Sequence, residues 1–104
     1  IRVSAEVGST VVLPCELKDL SIQTPHVEWT IGPDTVFERQ GKVTFQAEGY
    51  EGRVDVPEDE LLKGNCSLVL KTVRLTDEAE YRSSMLVKDT KEPVLVQKVQ
   101  LSVY

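Results

Sequence analysis

The sequence predicts an all-β domain in which two antiparallel sheets pack face to face. Apolar and polar residues alternate with a period of two along most of the chain, which is the pattern of half-buried strands. Turn-forming residues separate these segments at intervals of about ten residues, as is typical of a sandwich. We expect about eight or nine short strands.

The strands are placed by their alternating apolar residues. The first half of the chain contributes Val3, Ala5 and Val7, then Val11, Leu13 and Cys15, then Val27 and Trp29, then Val36 and Phe37, then Val43 and Phe45. The second half contributes Val54 and Val56, then Cys66, Leu68 and Leu70, then Tyr81, Ser83 and Met85, then Val99, Leu101 and Val103. Gln40-Gly41-Lys42 predicts a hairpin. Helical turns are predicted only at residues 57–62 and 76–79.

Length and charge restrict the organisation and the class of partner. The 104 residues have room for one domain, spanning 1–104. The formal net charge of -5 argues against a nucleic-acid binder, because no cluster of Lys and Arg is present. No apolar run of about 18 residues and no signal-peptide pattern occurs. Since the chain begins and ends within strand-like segments, we expect an ectodomain module excised from a longer protein.

The sequence offers little for catalysis or metal binding. The single histidine, His26, lies beside Pro25 in a predicted loop, and no serine has a nucleophile-elbow pattern around it. The acidic run at 58–60 lacks the alternating ligands and the glycine of a calcium loop. We therefore predict no enzyme activity, no catalytic residue, no metal and no cofactor.

Four elements occur in a fixed order along the chain. They are residues 8–15 (GSTVVLPC), Trp29, Gly52-Arg53-Val54 and residues 77–82 (DEAEYR). Together they resemble an immunoglobulin V-set domain. The resemblance implies a pair between Arg53 and Asp77, a tyrosine corner at Tyr81 and a core position for Trp29. The long stretch between Trp29 and Arg53 favours the nine-stranded variable type.

Three further segments carry a narrower resemblance. Residues 13–15 (LPC), 50–53 (YEGR) and 73–82 (VRLTDEAEYR) are similar to the butyrophilin, myelin-oligodendrocyte-glycoprotein and costimulatory-ligand group. Junctional adhesion and myelin-zero-like proteins share much of this pattern. The group implies an ectodomain on the extracellular face of the plasma membrane, or a secreted one. Residues 93–97 lack the glycines of rearranging antigen receptors, which argues against an antibody or T-cell-receptor domain.

Ser83 stands where the resemblance places the second cysteine of the domain. Cys66 has the same parity as Leu68, so it also faces the core. If Leu13 lies opposite Leu68, as the family register implies, Cys15 lies opposite Cys66 with Cα atoms about 4.5–5.5 Å apart. We predict a disulfide between them within one sheet. The alternatives are two free thiols, or an engineered serine at 83 with Cys66 as an unrelated core residue.

The replacement of that cysteine by Ser83 also affects its surroundings. We expect Trp29 to pack beside Ser83, whose buried hydroxyl needs a backbone acceptor. A disulfide also indicates an oxidising compartment. In agreement with that compartment, Asn65-Cys66-Ser67 matches the acceptor pattern for N-glycosylation, and Asn65 is the one asparagine of the chain.

V-set domains bind partners with one sheet face or with the loops at one end. Strand parity predicts which side chains point outward on that sheet. The predicted partner-binding residues are Glu28, Thr30, Phe37, Arg82, Ser84, Leu86, Val94, Val96 and Lys98. Two alternatives stay open: a loop that covers these residues, or a bulge in the last strand that reverses the parity.

Exposed apolar residues grouped with polar ones indicate a protein contact. The resemblance to the costimulatory-ligand group implies that this is a non-catalytic recognition domain of an immune ligand or receptor, which binds another immunoglobulin-type surface protein through this face. The alternative is a homophilic adhesion module, in which the same face contacts its own copy.

Overall fold

The computed structural model of the chain describes residues 1–17, 26–86 and 94–104. These residues form nine strands and little helix, which confirms the predicted all-β class. The strands are β1 (Arg2–Ala5), β2 (Val11–Leu13), β3 (His26–Ile31), β4 (Asp34–Gln40), β5 (Val43–Gln46), β6 (Val54–Asp55), β7 (Leu68–Leu70), β8 (Ala79–Leu86) and β9 (Val94–Val103). A short helix α1 (Glu58–Leu62) and a 3-10 turn (Leu75–Asp77) lie at the predicted helical turns.

The strands form two sheets. The larger sheet has the order β1-β9-β8-β3-β4-β5, and the smaller sheet has the order β2-β7-β6. β1 runs parallel to β9, and the other pairs are antiparallel. The predicted hairpin joins β4 to β5, with Gly41 at φ +59° in its two-residue loop, a conformation that favours glycine.

The core lies between the sheets and contains the alternating residues of both. Trp29, Tyr81 and Phe37 are its largest fully buried side chains. Because the smaller sheet has three strands and the larger has six, the edge strand β5 is left with three exposed residues and one half-buried residue. No helix in the described ranges is long and apolar enough to cross a membrane.

The disulfide joins two residues of the smaller sheet. Leu13 pairs with Leu68, as the register argument requires. Cys15 and Cys66 are bonded, with their Cα atoms 4.9 Å apart. The strand pairing continues past Leu13 and Leu68 to the two cysteines, because Cys66 N donates to Cys15 O over 3.1 Å. The covalent link therefore closes the chain within one sheet and does not connect the two sheets.

Ser83 is fully buried between the sheets and pairs with Trp29 across β3 and β8. Its hydroxyl donates to the backbone oxygen of Gln97 over 3.4 Å, which supplies the expected acceptor. Ser83 Oγ also lies 3.2 Å from Cys15 Sγ. A disulfide sulfur carries no proton, so the hydroxyl is the only possible donor in that contact.

A polar cluster holds the start of β8 against the rest of the domain. Arg53 forms an ion pair with the buried carboxylate of Asp77, which also accepts from Arg74 N over 2.8 Å. The Tyr81 hydroxyl donates to the backbone oxygen of Asp77 over 2.7 Å, forming the tyrosine corner. Burial, and next the hydrogen bond with Tyr50, raises the pKa of Tyr81, so its hydroxyl keeps the donating proton.

Two bulges interrupt the register of the larger sheet. Between β8 and β9, Ser83 pairs with Gln97 and Ser84 with Leu95, which leaves Val96 without a cross-strand partner. Between β3 and β4, Trp29 pairs with Phe37 and Thr30 with Thr35, which leaves Val36 as the extra residue. A bulge shifts the parity of the residues after it, so both alter which side chains reach the outer surface.

Candidate protein-binding face

The outer face of the larger sheet is the surface turned away from the smaller sheet. Its side chains in the described residues are half-buried or exposed, whereas those of the inner face are mostly buried. Residues that lie directly opposite each other on neighbouring strands share a face. The strand register therefore groups the outer residues into rows that cross the sheet, and three adjacent rows cover its centre.

The middle row crosses five strands. It contains Leu95, Ser84, Glu28, Glu38 and Phe45, each paired with the next. At about 4.8 Å between strands the row is roughly 19 Å long. Leu95 is 49% exposed and Phe45 is 50% exposed, so each end of the row carries an accessible apolar side chain.

The other two rows flank this one. The first contains Lys98, Arg82, Thr30 and Thr35, which pair in that order. The second contains His26, Gln40 and Val43, and Val43 is 74% exposed. The face therefore has basic side chains along one flank and an exposed apolar residue at the β5 end of the other.

Two glutamates lie opposite each other at the centre of the face. Glu28 and Glu38 are a direct cross-strand pair, an arrangement that costs free energy when both are charged. His26 Nε2 contacts the carboxylate of Glu38, and Thr35 Oγ1 donates to Glu28 Oε2 over 3.3 Å. These two contacts offset the repulsion, and they leave carboxylate oxygens with capacity for donors from a partner.

Five predicted contact residues lie on this outer face in the register. They are Glu28, Thr30, Arg82, Ser84 and Lys98. The backbone of Leu86 pairs with His26, but its side chain lies outside the described part of the chain.

The prediction that Phe37, Val94 and Val96 lie on this face is wrong. Phe37 is fully buried beneath it, because its pair Trp29 faces the core and the β4 bulge turns Phe37 the same way. Val96 is the bulged residue of β9, half-buried and packed against the core. Val94 is 49% exposed but pairs with the inward residue Met85, so the register assigns it to the inner side.

Sequence reasoning missed Leu95, Phe45 and Val43. Leu95 reaches the outer face through the β9 bulge, for which the sequence carries no local signal. Phe45 and Val43 alternate like core residues, but their strand β5 extends past the edge of the smaller sheet. The signal that could have found them is the strand order of a V-set domain, in which β5 is an edge strand. His26 was also misplaced, since it begins β3 instead of lying in a loop.

An open cleft lies beside the Phe45 end of the middle row. Its volume is about 560 Å³, and Phe45, Tyr50, Thr35, Asp34 and Glu48 are among its lining residues. It therefore combines aromatic walls with two acidic groups. Within residues 1–17, 26–86 and 94–104, no group of three or more His, Cys, Asp or Glu side chains is arranged to hold a metal ion.

Solved structures with this fold are numerous, with 1375 similar chains. One is the crystal structure of the human B7-H4 IgV-like domain, at 24% identity and a TM-score of 0.79, covering 99% of this chain and 92% of that chain. Another is a chain of the crystal structure of ICOS in complex with ICOS-L and an anti ICOS-L VNAR domain, at 25% identity and a TM-score of 0.84. That similarity covers 98% of this chain and 53% of the other.

No curated protein matches the sequence significantly. The family described as "Immunoglobulin V-set domain" matches residues 1–104, over which the sheet order, the tyrosine corner and the buried tryptophan are found. The chain belongs to the immunoglobulin V-set domain family.

Proposed function

We propose that this domain is a non-catalytic recognition module of a cell-surface or secreted protein, and that it binds a protein partner through the outer face of its larger sheet. The observation that carries the proposal is the middle row, in which exposed Leu95 and Phe45 flank a polar centre. Protein interfaces combine apolar anchors with polar groups in this way. The row's length of roughly 19 Å suits a standard interface patch.

The cleft beside Phe45 adds a place for an anchor from the partner. Asp34 and Glu48 at its lining favour a basic side chain, and the rings of Phe45 and Tyr50 suit the apolar stem of that side chain. Arginine meets both requirements, and it is enriched among the residues that dominate binding energy. We therefore expect the partner to present an arginine to the β5 end of the face.

The similar structures support a partner of the same structural class. One of them is a complex between ICOS and ICOS-L, and another is a human B7-H4 IgV-like domain. By analogy with them, we propose that this domain lies on the extracellular side of the membrane and recognises another immunoglobulin-type ectodomain.

The test is the staining of a panel of cells, each expressing one immunoglobulin-type ectodomain, with fluorescent tetramers of the domain. The face variants are Phe45→Asp and Leu95→Asp. The matched control is Val12→Asp, because Val12 is 52% exposed on the smaller sheet. Each face variant is expected to weaken the positive interaction by at least about tenfold, and the control to leave it unchanged.

The outcome against the proposal is a positive interaction that Val12→Asp weakens as much as the two face variants do. Staining that survives both face variants argues against it equally. Circular dichroism of each variant shows whether a loss of binding reflects a loss of folding.

The exposed edge strand β5 favours a second candidate, homophilic adhesion. Val43 and Phe45 are accessible on this strand, whose outer backbone groups have no strand partner in the described residues. Two copies related by a two-fold axis can pair such edges. Sedimentation of a concentration series tests it: a dimer weakened by Phe45→Asp and kept by Val12→Asp supports self-association, and a strict monomer excludes it.

A further inference from the structure

The acceptor tripeptide for N-glycosylation lies at the start of β7, on the far side of the core from the candidate face. Asn65 is exposed, Cys66 is fully buried and Ser67 is half-buried. Asn65 also pairs with Glu16 in an isolated bridge, one step beyond the disulfide. The tripeptide therefore occupies the same two-strand segment as the Cys15–Cys66 bond.

All three residues of the tripeptide are engaged in the folded, oxidised domain. Ser67 Oγ accepts from Cys15 N over 3.0 Å and lies 3.3 Å from Cys15 O, to which it donates. Asn65 Oδ1 accepts from Ser67 N over 3.1 Å, and its Nδ2 lies 3.3 Å from Glu60 Oε2. The disulfide joins Cys66 to Cys15, and the backbone of Cys15 binds the Ser67 hydroxyl.

We propose that Asn65 is an N-glycosylation site and that closure of the Cys15–Cys66 disulfide competes with its modification. The acceptor reaction requires the amide of the asparagine and the hydroxyl two residues later. In the oxidised domain that hydroxyl is bound to the backbone of Cys15, and the amide is part of a local turn. Glycan is therefore added before the disulfide forms, and each chain oxidised first stays unmodified.

The two competing reactions are chemically separate. In glycosylation, Asn65 Nδ2 forms a bond to the anomeric carbon of a lipid-diphosphate-linked oligosaccharide and loses one proton to a base of the transferase. The bond from that carbon to the diphosphate oxygen breaks, and its electron pair leaves with the lipid diphosphate. In oxidation, the thiols of Cys15 and Cys66 lose two protons and two electrons to a disulfide-carrying oxidoreductase of the secretory compartment, whose own disulfide is reduced to two thiols.

The glycan's position is remote from the Phe45 end of the candidate face. Asn65 lines an open cleft of about 630 Å³ together with Pro14, Val96 and Ile1, at the β1 and β9 edge of the sandwich. Phe45 lies on β5, at the opposite end of the strand order. The proposal does not rest on the proposed function, because its test measures glycan occupancy and not partner binding.

The test is expression of the domain behind a signal peptide in mammalian cells, followed by intact mass measurement with and without peptide N-glycanase. Because Asn65 is the one asparagine of the chain, every N-glycan is assigned to it without site mapping. We expect wild type to be a mixture of modified and unmodified chains. Dithiothreitol during pulse labelling, which keeps the thiols reduced, is expected to raise the modified fraction by about twofold or more. Cys15→Ala is expected to raise it similarly.

A cysteine-free acceptor provides the matched control. Lys42→Asn creates Asn-Val-Thr in the exposed β4–β5 turn, and Asn65→Gln in the same chain removes the natural site. The glycan occupancy of the new acceptor in the β4–β5 turn is expected to be the same with and without dithiothreitol. The proposal is overturned if wild type carries no N-glycan in either redox condition. It is equally overturned if the occupancy of Asn65 is the same with and without reductant, and this pulse-labelling result does not depend on whether Cys15→Ala folds.

Discussion

Trp29 Nε1 donates a hydrogen bond across the core to the backbone oxygen of Cys66, over 3.0 Å. Trp29 belongs to β3 of the larger sheet, and Cys66 lies two residues before β7 of the smaller one. Both residues are fully buried. Since the disulfide here lies within one sheet, this hydrogen bond is a polar connection between the two sheets at the level of the disulfide.

Replacing Trp29 by phenylalanine removes that bond and leaves a buried carbonyl without a partner. We expect a loss of about 2–4 kcal/mol in the free energy of unfolding, from the unpaired acceptor and the smaller ring together. Urea denaturation followed by circular dichroism measures it, because the variant has no tryptophan to fluoresce. Phe37→Leu is the control, since Phe37 is Trp29's buried neighbour and makes no polar contact with its side chain. An equal loss in the two variants contradicts the role given to the hydrogen bond.

The 3.2 Å contact between Ser83 Oγ and Cys15 Sγ predicts a second result. A cysteine at 83 places a third sulfur beside Cys15, so thiol–disulfide exchange can move the bond from Cys66 to position 83. In a glutathione buffer, Ser83→Cys is expected to give two disulfide isomers by peptide mapping, each with one alkylatable thiol. Ser84→Cys faces the outer surface and is expected to keep the wild-type bond. Finding only the Cys15–Cys66 isomer in Ser83→Cys contradicts the prediction.

The ion pair between Arg53 and Asp77 is expected to be important because Asp77 is buried. Its side chain is 4% exposed, and that of Arg53 is 12% exposed. Arg53→Ala leaves a buried carboxylate without its counter-ion, and we expect a loss of about 3–5 kcal/mol. Arg82→Ala breaks an ion pair with Glu80 whose side chains are 49% and 45% exposed, and we expect at most about 1 kcal/mol. Chemical denaturation measures both variants, and similar losses of unfolding free energy in Arg53→Ala and Arg82→Ala contradict the importance given to the buried ion pair.

The sheet architecture and the disulfide were predictable because each depends on local parity. The alternation around Leu13 and Leu68 sets which residues face the core, and a residue two positions away on each strand must face the same way. The disulfide between Cys15 and Cys66 follows from that rule together with the family register. The expected packing of Trp29 beside Ser83 came from the family's second cysteine position, and the two residues are cross-strand partners.

The composition of the candidate face was only partly predictable, because parity fails at a bulge. The extra residues Val36 and Val96 reverse the orientation of their neighbours along the strand, and neither position carries a glycine or other local marker. Phe45 was missed for a different reason. Its exposure depends on how far the smaller sheet extends, which is a property of the packed domain and not of the strand that contains it.

The β9 bulge predicts that aspartate destabilises the domain at Val96 but not at the neighbouring Leu95. Val96 packs against the core, so Val96→Asp places a carboxylate in a half-buried apolar site, and we expect a loss of about 2 kcal/mol or more. Leu95 lies on the outer face at 49% exposure, so Leu95→Asp is expected to change stability by no more than about 0.5 kcal/mol. Regular alternation along β9 predicts the reverse order. Thermal or urea unfolding of the two variants therefore decides whether the bulge is present, and with it which of these two residues a partner can reach.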